Sequence, residues 1–203
     1  MIPALSVNFT FSNRENIVNN MDGITGGLSY VAIGAWAQGG NASQPLQNST
    51  AFLFGYETPS SAVPSAGAAS YSGMANATVY KNVNSNISST LVFGDAKVSV
   101  NFNSGQVTGT LTQMKQWDGI NNGQSIYLPW NDVSLTANVA AGTNRFSGST
   151  AATSAPGTTF SLAGSATGHV DGAFFGPAAQ NLGAIWSLSD GSVSAMGGLT
   201  AKQ

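Results

Sequence analysis

From Ala66 to the C-terminus the chain breaks into roughly eight strand candidates, and that number leaves few folds open. They run over 67–80, 87–101, 106–114, 131–139, 144–152, 158–175, 182–189 and 193–202. Val98, Val100 and Phe102 alternate with Lys97, Ser99 and Asn101, and Val133, Leu135, Ala137 and Val139 alternate with Ser134, Thr136 and Asn138. A period of two gives each strand one face for a core and one for water. Asn103-Ser-Gly105, Ala141-Gly142 and Asp190-Gly191 supply the residues that tolerate the backbone of tight hairpins, so strands adjacent in sequence pair in space. Eight antiparallel strands paired in this way close a small barrel.

Composition points the same way. Only 7% of the 203 residues are charged, while glycine occurs 25 times and Ser, Thr and Asn fill the polar positions. Long stretches rich in Leu, Glu and Lys, which favour helix, are missing. Solubility therefore rests on neutral hydrogen-bonding groups, the texture of an extracellular β protein. The net charge is −2 and the basic residues Arg14, Lys81, Lys97, Lys115, Arg145 and Lys202 are scattered, so no basic face forms to meet a nucleic acid. The absence of cysteine excludes disulfides, thiolate metal sites and a cysteine nucleophile. No apolar run reaches the length of a membrane span, and the start Met-Ile-Pro lacks the basic flank and apolar centre of a signal peptide.

Residues 1–62 read as a separate β region. Leu5, Val7, Phe9 and Phe11 fall on one side of a strand and Ser6, Asn8, Thr10 and Ser12 on the other. Two apolar runs follow, Leu28 to Ala37 and Ala51 to Glu57, separated by Gly39-Gly40 and a loop rich in Ser, Asn and Gln. Pro59 and Pro64 then withhold backbone donors, which places the domain boundary between a handle-like region, 1–62, and a barrel, 63–203.

The run Gly172-Ala-Phe-Phe-Gly-Pro-Ala-Ala-Gln-Asn-Leu-Gly-Ala-Ile-Trp186 resembles the C-terminal barrel motif of the transferrin-binding-protein-B-like surface proteins, roughly Gly-x-Phe-Tyr-Gly-Pro-x-Ala-x-Glu-x-Gly-Gly-x-Phe. Phe54-Gly-Tyr-Glu-Thr-Pro59 with Val63-Pro64 and Gly67-Ala-Ala-Ser-Tyr-Ser-Gly73 is similar to the lead into the family's barrel, and Val98 to Gly109 to its next hairpin. Phe175 stands for the usual Tyr, Asn181 for the usual Glu and Ala184 for a Gly, so the resemblance carries the fold of that corner and no polar role for it. The resemblance implies an all-β lobe: an N-terminal β handle followed by an eight-stranded antiparallel barrel. It also implies an extracellular or outer-surface bacterial protein that binds host iron proteins, haem or other host factors through handle loops and barrel rim. The smaller hemophilin-like relatives carry haem in the handle or at its junction with the barrel. Surface members often carry a lipidated cysteine; with none here, the expectation is a trimmed or freely secreted form.

Chemistry has few places to reside. His169 is the only imidazole, so neither a multi-histidine metal site nor a hydrolytic triad without it is available. It is a candidate haem ligand, against the plainer reading of a hydrogen-bonded surface histidine beside Asp171. Tyr30 and Tyr56, like Tyr71, Tyr80 and Tyr127, are candidate ligands or rim contacts, against packing with a wet hydroxyl. Trp36 and Trp186 lie in apolar runs and read as core. Trp117, Tyr127 and Trp130 lie in or beside a long polar loop, 114–130, which reads either as an aromatic binding surface or as a flap sealing a barrel end. The expected contact surface combines that loop with handle loops in 12–28 and 38–50.

The leading expectation is thus a binding protein rather than an enzyme. Its expected partners are a host protein, haem or an outer-membrane receptor, with haem as the only cofactor suggested. The alternative is a self-associating surface or filament subunit that donates the strand Leu5 to Phe11 to a neighbour's sheet edge.

Overall fold

A computed structural model describes residues 7–12, 30–38, 48–83 and 86–203. Among the described residues three strands precede Pro59 and Pro64: β1 (Val7–Ser12), β2 (Val31–Gln38) and β3 (Asn48–Gly55). They form one antiparallel sheet in the order β1-β2-β3, so the strand expected from Leu5 to Phe11 pairs within its own chain. Leu5 itself, Arg14 to Leu28 and most of 38–50 lie outside the described residues.

Nine further strands follow a single 3-10 turn at Ser60–Ala62. They are β4 (Ala68–Val83), β5 (Asn86–Asn101), β6 (Gln106–Asn121), β7 (Gln124–Pro129), β8 (Val133–Val139), β9 (Arg145–Ala152), β10 (Thr167–Phe175), β11 (Asn181–Ser189) and β12 (Val193–Lys202). Eight of them, all but β7, pair in a ring: β4 with β5, β5 with β6, β6 with β8, and on through β9, β10, β11 and β12 back to β4. The barrel is therefore closed and antiparallel throughout.

Its interior is solid. Inward residues alternate along each strand, as Val133, Leu135 and Ala137 do on β8. Phe174 is the hub at one end, its ring packed against those of Tyr71, Phe102 and Phe146 at 6.3, 5.6 and 5.6 Å. At the other end the Trp130 and Trp186 rings lie 6.3 Å apart. The Tyr71 hydroxyl donates to the Ala179 carbonyl at 2.7 Å, and burial pushes its pKa up to about 12.

Two expectations need correction here. The segment 158–175 is strand only from Thr167. Pro156, Gly157 and Gly164 punctuate the stretch before it, and 158–166 instead crosses the mouth of the barrel. Asn131 holds it there, its amide donating to the Leu162 carbonyl at 2.9 Å while its Oδ1 accepts the Leu162 N–H at 2.8 Å. The Trp130 indole donates to the Phe160 carbonyl at 2.9 Å. Nor is 114–130 a loop. β6 runs on to Asn121 and returns as β7, with Trp117 opposite Tyr127. The turn is Asn122-Gly123, both at positive φ (48° and 77°), a hairpin signal present in the sequence.

The three-stranded sheet packs on the outside of β10, β11 and β12. Ala173 and Phe175 form a buried cluster with Val31, against which Tyr30 and Leu53 pack. Close approach depends on glycines: a Cβ at Gly183 would meet Leu53 and Val31 side chains at 3.0 Å, and one at Gly198 would meet Ile33 at 2.8 Å. These strands are thus covered on both faces, which is why 172–186 reads as one apolar run rather than alternating.

Candidate functional site

The barrel is filled by its own side chains, and two regions of its outer surface carry exposed chemistry. The first is a wing formed where β5, β6 and β7 extend past the ring. On β5 and β6, Val92 and Gln116 point into the barrel and are buried. Their neighbours point out: Leu91 is 61% exposed and Trp117 43%. Tyr127 lies opposite Trp117 and is 47% exposed. Its ring meets that of Phe93 edge-on, centroids 5.2 Å apart, so an aromatic contact joins β5 to β7. A bulge between Trp117 and Gly119 inserts one residue and reverses the alternation beyond it. Ile120, opposite Ser125, is thereby turned to the same side as Trp117 and is 68% exposed. Exposed aromatic and aliphatic side chains in one contiguous patch mark interaction surfaces.

Of the two aromatic residues flagged with Tyr127, the structure brings one to this surface. Trp130 is 2% exposed and belongs to the barrel core. The Trp130 N–H continues the β6–β7 ladder to the Met114 carbonyl at 2.8 Å, which turns its side chain to the face shared by the half-buried Ile126 and Leu128, away from Tyr127. Leu91 and Ile120 were not singled out from sequence. The outward parity of β5 signals Leu91, whereas Ile120 depends on a bulge that no pattern announces.

The second region is the junction between the small sheet and the barrel. The link 56–58 stitches the two together: the Tyr56 N–H donates to Tyr30 O at 2.9 Å, Gly176 N–H to Tyr56 O at 2.8 Å and Thr58 N–H to Phe174 O at 2.9 Å. Tyr30 is half-buried, its ring 6.5 Å from that of the exposed Tyr56. Arg145 Nη2 donates to both Glu57 carboxylate oxygens at 2.7 and 2.9 Å. Both side chains are largely open to solvent, so the pair contributes at most about 1 kcal/mol. A shallow cleft beside it is lined by Leu53, Phe146, Asp171, Phe175 and Ile185.

His169 stands apart from both aromatic clusters, exposed on the outer face of β10. Its Nε2 lies 3.1 Å from Asp171 Oδ2, its strand neighbour on β9 is Ser149, and its own N–H donates to Ser187 Oγ at 3.2 Å. Serines and a carboxylate do not provide the apolar walls a porphyrin needs, so these surroundings do not fit haem. Among the described residues no three His, Asp or Glu side chains gather to hold a metal, and no helix is long and apolar enough to cross a membrane.

Comparison with known proteins bears on the same lobe. Residues 63–203 match the model of a protein family described as the C-lobe and N-lobe beta barrels of Tf-binding protein B. A mutant transferrin binding protein B from Haemophilus parasuis superposes with a TM-score of 0.60 at 23% identity, covering 87% of this chain and 33% of that one. The intact Ap-TbpB, with N and C lobes, gives 0.59 at 20% identity, covering 87% and 34%. The N-lobe domain of lactoferrin binding protein B of Moraxella bovis gives 0.52 at 14% identity, covering 96% and 79%. The chain spans about a third of the length of the first two. No curated protein matches it in sequence.

Proposed function

The chain belongs to the family of transferrin-binding protein B barrels, and on that premise we propose that it is an extracellular bacterial binding lobe, without enzymatic activity, that captures a host protein on its outer surface. One observation carries this reading. The closed barrel is filled by Phe174, Trp130, Trp186 and their neighbours, while Trp117, Tyr127, Leu91 and Ile120 stand exposed together on the wing. Large apolar groups held out in water on a sheet whose interior is filled by its own side chains are suited to a macromolecular partner.

In this reading residues 1–62 form the handle and 63–203 the barrel, and the wing supplies the main contact. Tyr30, Tyr56 and the Glu57–Arg145 pair at the junction offer a second, with Asp171, the partner of His169, at the edge of its cleft. A host iron protein is the partner class that the family's own members suggest, since relatives are named for binding transferrin and lactoferrin. Pairing of β1 with β2 of the same chain favours a single lobe over a filament subunit built by donating that strand.

Surface plasmon resonance against immobilised transferrin, lactoferrin and haemoglobin, with haemin followed by its Soret band, tests the proposal. A saturable signal with at least one protein is expected, weakened at least tenfold by the double change Trp117→Ala, Tyr127→Ala. Lack of binding to all three, or an unaltered affinity in the double variant, would overturn it. A shifted Soret band that persists in His169→Ala would point to haem at another site.

A further inference from the structure

β7 lies outside the ring and has one edge open along its length. It pairs with β6 alone and ends the sheet order, with no strand beyond it among the described residues. The direction of its backbone groups follows from bonds at its C-terminal end. The Trp130 N–H goes to β6, at Met114 O, whereas the Pro129 carbonyl points the other way and accepts from Thr158 Oγ1 at 3.2 Å. Antiparallel pairing alternates these directions residue by residue. Ser125 and Tyr127 therefore turn their N–H and C=O groups to the open side.

Protein edges are usually blunted by Lys, Pro, a covering loop or inward charge. Gln124-Ser-Ile-Tyr-Leu128 has none of these, and the side chains beside it on the outer face, Trp117, Tyr127 and Ile120, are uncharged. Proline comes only at 129, where it lacks a donor and where Thr158 already takes the carbonyl. The open ladder is thus short and has a fixed end.

We infer that the free edge of β7 receives an extended, uncharged segment of a protein partner by strand addition, through Ser125 and Tyr127, with that segment's alternate side chains packing on Tyr127 and Trp117. Two N–H and two C=O groups in strand register are complementary to another extended backbone and to little else. A second copy of this chain is the weaker occupant. Two six-residue edges set together bury far less than the roughly 1,600 Å² of a stable interface, whereas a captured protein adds the wing and the junction to the contact. The inference rests on the capture reading above and specifies how the partner is held.

The probe is a displayed library of random twelve-residue peptides selected on the immobilised protein, with amide exchange of the complex read by NMR. The expected result is enrichment of uncharged sequences with alternating aliphatic or aromatic residues. Bound, these slow exchange at Ser125 and Tyr127 at least tenfold and leave Ile126, already bonded to β6, unchanged. Ser125→Pro, which removes an edge donor, weakens them at least tenfold, and Ser125→Ala does not. Failure to enrich any peptide, or binding without protection of Ser125 and Tyr127, overturns the inference. So does protection that depends on protein concentration without peptide, since the occupant is then a second copy. The exchange readout uses the unaltered protein, so a misfolded proline variant does not affect it. If an intact host protein binds and leaves these amides unprotected, strand addition falls and capture stands. If no host protein binds but peptides protect the edge, capture falls and strand addition stands.

Discussion

At the scale of single residues, burial decides which polar groups are structural. The Tyr71 hydroxyl, enclosed by the core, donates to the carbonyl of Ala179, itself held at φ 58° in the turn between β10 and β11. Tyr71→Phe leaves that carbonyl without its donor and is expected to lower stability by about 1–2 kcal/mol in urea titration. Burial raises the Tyr71 pKa from 10.0 to about 12, so its contribution is complete below pH 10 and is lost as pH rises through 12. Asp190 shows the opposite sign. Burial works to raise its carboxyl, but backbone N–H groups of Ala163, Val193, Ser192 and Asp190 itself outweigh that and hold it below the ordinary value. Its contribution is present above pH 3.8 and is lost as pH falls through the lowered value. Asp190→Asn should therefore flatten the acid limb of the stability profile and leave the alkaline limb alone. Because Asp190 Oδ2 accepts from the Ala163 N–H at 2.9 Å, the same change should loosen the segment across the barrel mouth, seen as faster exchange at Ala163 and Leu162.

Between elements, what the sequence revealed depended on whether a residue's direction is set locally. Alternation located β5 and β8 because each has one wet face and one dry face. It failed at 158–166, where Phe160 and Leu162 are spaced like strand residues but serve a plug held by Asn131, a contact thirty-one residues away in sequence. It failed again at Trp117, between Gln116 and Asp118, and at Trp130, between Pro129 and Asn131, the first facing water and the second the core. Asn122-Gly123 was the available sign that this stretch is a hairpin; the bulge that redirects Ile120 left no sign at all. The docking of the small sheet was legible only as excess apolarity in 172–186. That docking yields its own prediction. Gly183→Val places methyl groups where Leu53 and Val31 already approach, overpacking the contact by about 1–3 kcal/mol. Hydrogen exchange should then quicken in β2 and β3 while β4 and β12 keep their protection; equal loss in all four would show that the sheet and barrel do not separate in this way.

For the whole molecule, closure has a functional consequence. A ring of eight strands filled by aromatic and aliphatic side chains leaves no edge within the ring and no room inside, so the proposed recognition has to use features that project from it. Here those are the wing that carries Trp117, Tyr127 and the open edge of β7, and the junction with the small sheet. The family resemblance pointed to the barrel and said nothing of the wing, which lies where hairpin length varies without cost to the core. The tryptophans report on inside and outside separately. The indole N–H signals of Trp117, Trp130 and Trp186, followed by NMR as a bound host protein is titrated in, give the most direct test of binding on the outer surface. The account predicts that the Trp117 signal shifts or broadens while Trp130 and Trp186 stay in place; movement of Trp130 and Trp186 with Trp117 unchanged would contradict it.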